Sequence, residues 1–379
     1  MPVRLFVVAG EASGDRHLGG LLDALERRLG PLEVRGLGGE SLRRRGVKPL
    51  ADPGDLDVLG FTAVLGRLPF FRRLLNRCLD EIRTFAPQAV ILVDYPGFNL
   101  RLARRVRRLG VPVLYYIAPQ VWAWRRDRRP GIARAVDRLL VVFPFEEPLF
   151  RAAGISTAFV GHPLLDAPPA DPPRVDLRRR LGVTEGDSLL AVLPGSRAQE
   201  VGAILPPLVA GTEALRGEGV RVAVSRTPRL GRKPYEAATE RGCALWEGSA
   251  AALVAGADAA LVASGTATLE TGLRGTPLAV VYRTGWLNWH LARLLVRIRT
   301  VGLVNIAAGG TRVPELLQGD LTPEAVERIA RRLLFDATER REQSDYLAGL
   351  SDRLGDSGAV ERAADEVAAF LEEARDPAL

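Results

Sequence analysis

The fold class is indicated first by the segment Leu5-Phe6-Val7-Val8-Ala9-Gly10-Glu11-Ala12-Ser13-Gly14-Asp15. Its five apolar residues predict a buried strand, and its glycine-framed turn leads into a helix whose leucines recur at helical spacing from Leu18 to Leu29. The same strand–turn–helix pattern recurs along the chain. Further apolar runs lie at residues 89–93, 111–116, 139–142, 157–160, 189–193, 220–224, 259–263 and 277–281. Such alternation predicts parallel sheets with helices on both faces.

A proline-rich segment divides this pattern into two halves. Residues 167–174 read Ala-Pro-Pro-Ala-Asp-Pro-Pro-Arg, which is typical of a linker, and the pattern restarts after them. We therefore predict an α/β protein with two Rossmann-like, doubly wound domains, residues 1–166 and 167–345, that face each other across a cleft. Residues 346–379 are predicted to form a charged helical segment that packs on the first domain or on a partner subunit.

The composition limits the classes of partner. The net charge is +7, and Lys48 and Lys233 are the only lysines among 52 basic residues. This charge favours phosphates or an anionic membrane surface, although a biased genome composition explains the arginine excess equally well. Nucleic acid is disfavoured, because the arginines are scattered without interleaved aromatic residues. The sequence shows neither a signal peptide nor a run of about 18 apolar residues, so we expect a cytoplasmic protein.

The candidate site residues of the first half follow its strands, because ligands of parallel sheets bind at the carboxyl ends of the strands. Asp94 emerges from the apolar run 89–93, where a carboxylate is placed to take a proton from a bound hydroxyl. Two tryptophans and a glutamine after the next strand suit stacking on a sugar. We expect Glu11 and Asp94 to be catalytic, and the substrate to be bound by Ser13, Asp15, Asn99, Gln120, Trp122 and Trp124.

The second half carries two turns that suit a nucleotide diphosphate. The first contains Gly195, Ser196 and Arg197 at the start of a helix, where unpaired N–H groups and a guanidinium attract phosphate oxygens. The second contains Ser264, Gly265 and Thr266, whose small side chains let a diphosphate approach the backbone. Glu270 follows, and its carboxylate can hold both hydroxyls of a ribose.

Each of these turns also has a structural interpretation. Ser13 or Asp15 can cap a helix, and Asp94 can cap the turn that follows it. Arg197 can face solvent, and Glu270 can lie near a helix N-terminus because the helix dipole favours it there. Carboxylates in one half and a diphosphate cradle in the other nevertheless give an acceptor side and a donor side, as a glycosyltransferase requires.

Several motifs resemble the lipid-A-disaccharide synthase family, in the same order and over about residues 5–320. They are residues 10–15 (Gly-Glu-Ala-Ser-Gly-Asp), 94–99 (Asp-Tyr-Pro-Gly-Phe-Asn), 119–125 (Pro-Gln-Val-Trp-Ala-Trp-Arg), 143–146 (Phe-Pro-Phe-Glu), 160–163 (Val-Gly-His-Pro), 193–197 (Leu-Pro-Gly-Ser-Arg), 263–270 (Ala-Ser-Gly-Thr-Ala-Thr-Leu-Glu) and 313–318 (Val-Pro-Glu-Leu-Leu-Gln). The resemblance implies the GT-B fold and an inverting transfer of 2,3-diacylglucosamine from UDP to 2,3-diacylglucosamine 1-phosphate.

The resemblance also implies roles for individual residues. Asp94 would be the base, Arg197 the diphosphate contact, Glu270 the ribose contact and Asn305 a further nucleotide contact. Gly97 stands where the family's motif often has a second aspartate, so Asp94 is the only acid of this motif. No cofactor and no metal are expected, because GT-B enzymes stabilise the leaving diphosphate with helix N-termini and arginine.

The expected partners are a UDP-sugar donor, an acylated sugar phosphate acceptor and the anionic inner face of the cytoplasmic membrane, contacted peripherally. The candidate contacts are residues 59–73, an apolar segment with arginines at positions 67, 72 and 73, and residues 286–291. A core helix with its preceding segment is an equally good interpretation of residues 59–73. A homodimer is compatible with the sequence. The alternatives are another GT-B UDP-sugar enzyme, either a glycolipid transferase or a UDP-N-acetylglucosamine epimerase, and, more distantly, a non-catalytic basic protein that binds nucleotides or nucleic acid.

Overall fold

Two parallel sheets, each of six strands, organise the chain. The computed structural model describes residues 2–56, 66–122, 129–285, 289 and 300–375. Within these ranges, residues 2–166 and 354–375 form an N-terminal unit, and residues 167–353 form a C-terminal unit. The prediction of two parallel-sheet α/β units is therefore confirmed.

The N-terminal sheet has the strand order β2-β1-β3-β4-β5-β6. Its strands are β1 Val3–Ala9, β2 Leu32–Leu37, β3 Ala89–Val93, β4 Val113–Tyr116, β5 Arg138–Val141 and β6 Thr157–Phe159. The helices are α1 Ala12–Leu29, α2 Glu40–Arg43, α3 Pro53–Leu56, α4 Leu68–Phe85, α5 Pro96–Val106, α6 Arg129–Ala133 and α7 Glu146–Arg151, with 3₁₀ turns at Arg107–Leu109 and Pro163–Asp166. All five residues of β3 are fully buried, as expected for a strand covered on both faces.

The C-terminal sheet has the order β12-β11-β10-β7-β8-β9. Its strands are β7 Ser188–Leu193, β8 Val220–Ser225, β9 Ala244–Trp246, β10 Ala259–Ala263, β11 Leu278–Tyr282 and β12 Glu315–Leu317. The helices are α8 Arg174–Arg180, α9 Ala198–Gly211, α10 Glu213–Arg216, α11 Glu236–Glu240, α12 Ala250–Gly256, α13 Thr266–Leu273, α14 Leu303–Ala308, α15 Pro323–Phe335, α16 Ala337–Ala348 and α17 Leu350–Leu354, with 3₁₀ turns at Lys233–Tyr235 and Gln318–Asp320.

The last helix, α18 Ala359–Arg375, belongs to the N-terminal unit and packs on α1. Its apolar face is buried, and charged side chains flank the contact: Arg28 pairs with Glu361 and Asp365 of α18. Asp166 accepts hydrogen bonds from the N–H groups of Gly358 (2.5 Å) and Val360 (2.7 Å), which satisfies donors at the start of the helix. The helix is thus fixed at its beginning and along its length.

Strands β2, β9 and β12 were not predicted from the sequence. Strand β2 contains Gly36, Glu33 and Arg35, which weaken the apolar signal, and β9 and β12 have three residues each. All three lie at sheet edges, where pairing with a neighbouring strand stabilises a segment whose own β propensity is low.

Candidate active site

Four turns of the N-terminal unit lie in order along one edge of its sheet. They follow β1, β3, β4 and β5, which are neighbours in the sheet and parallel. The turns are close enough that Gly10, after β1, touches the ring of Tyr95, after β3. A Cβ atom at position 10 would lie 2.3 Å from Cδ1 of Tyr95, so only glycine permits this approach.

The turn that carries Asp94 is strained and held in place from two sides. Asp94 and Tyr95 have φ angles of 46° and 48°, a region that costs a non-glycine residue on the order of 1–3 kcal/mol. The Asn99 amide donates to the carbonyl oxygens of Val93 (3.2 Å) and Asp94 (2.7 Å). The buried Tyr115 hydroxyl also donates to the Asp94 carbonyl. These bonds fix the backbone of the turn, and the Asp94 side chain that it carries is half-buried. Asn99 therefore positions the turn that carries Asp94.

Glu11 and Asp94 both lie near Tyr115. Burial, and then the negative charges of Asp94 and Glu11, raise the pKa of the Tyr115 hydroxyl well above its usual value. Glu11 is the N-cap residue of α1 and is half-buried. Asp94 does not cap the following helix, because the N-cap of α5 is Tyr95. The structure thus brings the two predicted catalytic carboxylates to one sheet edge.

Ser13 and Asp15 lie inside the first turn of α1, so neither is the N-cap and that structural alternative was wrong. Asp15 is buried. Its carboxylate accepts hydrogen bonds from the N–H groups of Gly39 (2.6 Å) and Ser41 (3.2 Å) and from the Ser41 hydroxyl. Asp15 therefore holds the start of α2 against α1 and is a positioning residue. Ser13 is half-buried.

The turn after β4 leads to an aromatic cluster formed by Trp122, Phe143 and Phe145. The Trp122 ring meets Phe145 edge-on at 5.1 Å between centroids, and Phe143 stacks on Phe145 at 5.5 Å. Gln120 is half-buried before this cluster, and Trp124 lies outside the described residues. Exposed Phe145 and half-buried Trp122 offer the kind of apolar surface on which a sugar stacks.

Glu146 is a candidate residue that the sequence analysis quoted in a motif but gave no role. Its carboxylate is buried, and it accepts hydrogen bonds from the Trp122 indole N–H (2.8 Å) and the Phe143 N–H (3.2 Å). Burial first, with a small contribution from the charge of Asp94, raises the Glu146 pKa to about 7. Glu146 thus anchors the aromatic cluster through Trp122 and Phe143, and its carboxylate lies within electrostatic range of Asp94. The sequence offered one signal for a role of Glu146: it is a carboxylate that follows Phe143 and Phe145 just after a strand.

The raised pKa makes Glu146 a source of pH-dependent stability. Between the usual pKa of 4.5 and about 7, the folded protein keeps a proton that the unfolded chain releases. Rising pH therefore lowers the free energy of unfolding, by roughly 3 kcal/mol over this window. The Glu146→Gln variant has no such proton, so its stability relative to wild type should rise from pH 5 to pH 7.5. Denaturant unfolding of both proteins at each pH measures the difference.

The comparison must be made between the two proteins, because two buried histidines titrate in the opposite sense. Burial lowers the pKa of His17 and of His162 to about 3, so their contribution to stability grows as pH rises towards the usual value of 6.5. The variant keeps both histidines, and their contribution cancels. A stability difference that does not change with pH would show that Glu146 is ionised throughout.

In the C-terminal unit, the turn after β7 brings Arg197 to the start of α9. Gly195 has φ of 109°, and a Cβ atom there would lie 2.6 Å from a Glu200 carboxylate oxygen. That carboxylate accepts the N–H groups of Ser196 (3.1 Å) and Arg197 (3.3 Å) and pairs with the Arg197 guanidinium at 3.0 Å. Arg197 therefore does not simply face solvent: Glu200 holds it beside the helix N-terminus.

The turn after β10 opens α13 with small residues. The Ser264 hydroxyl donates to the Val301 carbonyl (2.9 Å), and Gly265 is the N-cap with φ of 148°. The space around Gly265 is open, and Thr266 is half-buried beside it. Glu270 is buried in the second turn of α13, beyond the first turn where the helix dipole favours an acid.

Asn305 is buried and hydrogen-bonded within the protein. Its amide donates to the Val313 carbonyl (2.8 Å) and to Glu315 (3.0 Å), and its oxygen accepts the Val313 N–H (3.1 Å). Glu315 also accepts the N–H groups of Val301 and Gly302, each at 3.0 Å. This network supports the loop that Ser264 contacts. Glu315 is thus a positioning residue that the sequence analysis did not identify.

The two sheets and their turns define the class of protein. One parallel-sheet unit with two carboxylates near the same tyrosine, and a second unit with two helices that start at glycine-containing turns, are the parts of a GT-B fold. Solved structures agree on the fold. The S. aureus MnaA–UDP complex has a TM-score of 0.67 at 14% identity, covering 98% of this chain and 97% of that one. A calicheamicin glycosyltransferase has a TM-score of 0.62 at 18% identity, covering 98% of each chain.

Sequence comparison identifies the family. The family description "Lipid-A-disaccharide synthetase" matches residues 5–368. A lipid-A-disaccharide synthase of Myxococcus xanthus (strain DK1622) is 42% identical over 375 residues, covering 98% of both chains. One of Anaeromyxobacter dehalogenans (strain 2CP-1 / ATCC BAA-258) is 43% identical over 373 residues, covering 96% of both. The chain belongs to the lipid-A-disaccharide synthetase family and is a glycosyltransferase, as its motifs predicted.

Proposed function

We propose that this enzyme transfers 2,3-diacylglucosamine from its UDP carrier to the 6-hydroxyl of 2,3-diacylglucosamine 1-phosphate, with inversion and release of UDP. The observation that carries the proposal is the near full-length match to lipid-A-disaccharide synthases. The placement of Asp94 and Glu11 at one sheet edge, and of Arg197 and Glu270 in the other unit, supports it.

The proposed mechanism follows from where charge develops. The Asp94 carboxylate takes the proton of the acceptor hydroxyl, whose oxygen attacks C1 of the donor sugar. The bond from C1 to the diphosphate oxygen breaks, and its electron pair leaves with UDP. Arg197 and the N-terminal N–H groups of α9 and α13 are assigned to the growing negative charge of UDP, with Glu270 on the ribose. Glu11, which lies with Asp94 near Tyr115, is assigned to the catalytic site as a second carboxylate. The fully buried Asn99 is assigned to holding the Asp94 turn through its hydrogen bonds to Val93 and Asp94.

One assay tests the reaction and its alternatives. Purified protein is given the two diacyl sugars, and the products are analysed by mass and by release of free UDP. A tetra-acylated disaccharide phosphate together with UDP supports the proposal. An epimerised nucleotide sugar without disaccharide would instead indicate a UDP-N-acetylglucosamine epimerase. Binding without any product would indicate a non-catalytic protein.

We propose that the reaction needs no divalent metal. An arginine and two helix N-termini are available for the diphosphate, and the described ranges contain no group of three or more His, Cys, Asp or Glu side chains arranged to hold an ion. Activity is expected to stay within about twofold of the untreated enzyme in excess EDTA. The matched control is the same sample with magnesium restored. Complete loss in EDTA, reversed by magnesium or manganese, would contradict the proposal.

We also propose peripheral contact with the inner face of the cytoplasmic membrane, because both substrates carry acyl chains. No helix in the described part of the chain is long and apolar enough to cross a bilayer. Of the predicted contact at residues 59–73, residues 59–65 lie outside the described residues, and so does most of the second candidate at 286–291. The described remainder includes exposed Leu68 beside Arg67 and Arg72, a combination that suits an anionic headgroup layer. The homodimer stays a prediction.

A further inference from the structure

A groove lies between α4 and α5 of the N-terminal unit. Its volume is about 550 Å³, within the usual range for small-molecule sites. The floor is apolar and consists of Phe71, Leu75 and Phe98, of which Leu75 and Phe98 are buried and Phe71 is half-buried. A floor of this kind accommodates a hydrocarbon chain better than a polar ligand.

Arginines form the rim of this groove. Arg101, Arg104, Arg105 and Arg108 recur at spacings of three and four residues, so they share one face of α5 and its 3₁₀ extension. Arg72 of α4 lines the groove with them. Like charges at these spacings destabilise a helix, and a multiply charged anion would relieve that repulsion.

The arginine rim is not neutralised by the part of the chain that the structure describes. Arg101 donates to the Gly97 carbonyl and Arg105 donates to the Asn76 amide oxygen (3.1 Å), both uncharged acceptors. No described carboxylate forms an ion pair with Arg72 or with the four arginines of α5 and its extension. Elsewhere in the same unit, arginines pair with acids, as Arg138 does with Glu366 and Glu373.

The groove begins at the turn that carries the proposed base. Tyr95, Gly97 and Phe98 line it, and they follow Asp94 directly in sequence. Space next to Gly97 is open, because a Cβ atom there would have no neighbour within 4 Å. A ligand in the groove would therefore extend from the residues beside Asp94 along an apolar floor with a cationic rim.

We propose that this groove binds the lipid acceptor itself, with an acyl chain on the Phe71–Leu75–Phe98 floor and the sugar phosphate on the arginines of α5. The proposal rests on the proposed function and names the site for its acceptor. The groove is continuous with the turn that carries Asp94. This favours the acceptor as its occupant over bulk membrane lipid, because the acceptor must place a hydroxyl at the proposed base. The apolar floor disfavours nucleic acid.

The test is a double variant with a matched control. Arg104→Gln with Arg108→Gln removes two exposed charges from the rim and should raise KM for the phosphorylated acceptor about tenfold or more, with kcat and the UDP-sugar KM little changed. Arg77→Gln with Arg134→Gln removes the same charge from exposed positions of the unit that do not line the groove, and should leave KM within about twofold. An acceptor analogue without the phosphate should show no difference between the two double variants.

Three outcomes would overturn the proposal. They are an unchanged KM in the rim variant, an equal rise of KM in the control variant, and an equal rise of KM for acceptors with and without phosphate.

A further condition separates the acceptor from the membrane surface. The rim variant must show the raised KM also when the acceptor is presented in neutral detergent micelles. If the effect appears only on anionic vesicles, together with weaker flotation of the rim variant, the arginines serve the membrane surface instead. A wild-type protein that forms no disaccharide contradicts the proposed function, which is a separate failure.

The apolar floor has its own test. Phe71→Trp enlarges a half-buried floor residue, and should raise KM more for long-chain than for short-chain acceptors. The melting temperature reports whether the unit stays folded. An increase in KM that is independent of chain length would place the acyl chain elsewhere.

Discussion

Asp94→Asn is expected to lower turnover by about 100-fold or more while UDP binding stays unchanged. Asparagine keeps the shape of the side chain and removes its basicity. The strained turn is held through the backbone carbonyl of Asp94, which accepts from Asn99 and Tyr115, so the substitution leaves those contacts in place. Steady-state turnover and calorimetric UDP binding on one preparation separate chemistry from binding.

A matched control and a second readout sharpen this test. Asp80→Asn changes an exposed aspartate of α4 in the same unit and should leave turnover near wild type. Because the charge of Asp94 contributes to the raised pKa of Glu146, Asp94→Asn should also shift the pH dependence of stability described above towards lower pH. Near-normal turnover in Asp94→Asn would remove Asp94 from the role of base.

Arg197→Ala and Glu270→Gln are each expected to weaken UDP binding by about 1.5–3 kcal/mol, or roughly 10- to 150-fold in Kd. Arg197 lies at the N-cap of α9 and Glu270 in the second turn of α13, each at a helix that starts on a glycine-containing turn. The physical reason is the loss of a charge-assisted contact to the diphosphate in one variant and to the ribose in the other. Isothermal titration with UDP measures both.

The controls for this pair are Arg241→Ala and Glu213→Gln, which break an exposed ion pair of the same unit and should leave UDP affinity unchanged. Because Glu200 holds the Arg197 guanidinium at 3.0 Å, Glu200→Gln should weaken UDP binding less than Arg197→Ala does. Unchanged affinity in both Arg197→Ala and Glu270→Gln would place the nucleotide site elsewhere.

Local sequence patterns were informative wherever a single segment carries the signal. The apolar run 89–93 predicted β3 with the bounds that the structure shows, and the turns after β1, β3, β7 and β10 were located from glycines next to polar residues. The edge strands β2, β9 and β12 were missed, because a short edge strand is stabilised by its neighbour more than by its own composition. Asn305 was identified only by resemblance, and its hydrogen bonds to Val313 and Glu315, which lie 8 and 10 positions away, could not be predicted from local sequence.

The α/β class, the two sheets and the positions of Asp94, Arg197 and Glu270 in segments that follow strands could be predicted, because each depends on the periodicity of local sequence. Three features could be seen only in the folded chain: Glu146 contacts Trp122, Asp15 holds the start of α2, and the arginines of α5 border an apolar groove. These contacts join residues far apart in the chain, and they exist because the strand order places separate turns and helices side by side. Local periodicity carries no information about that order.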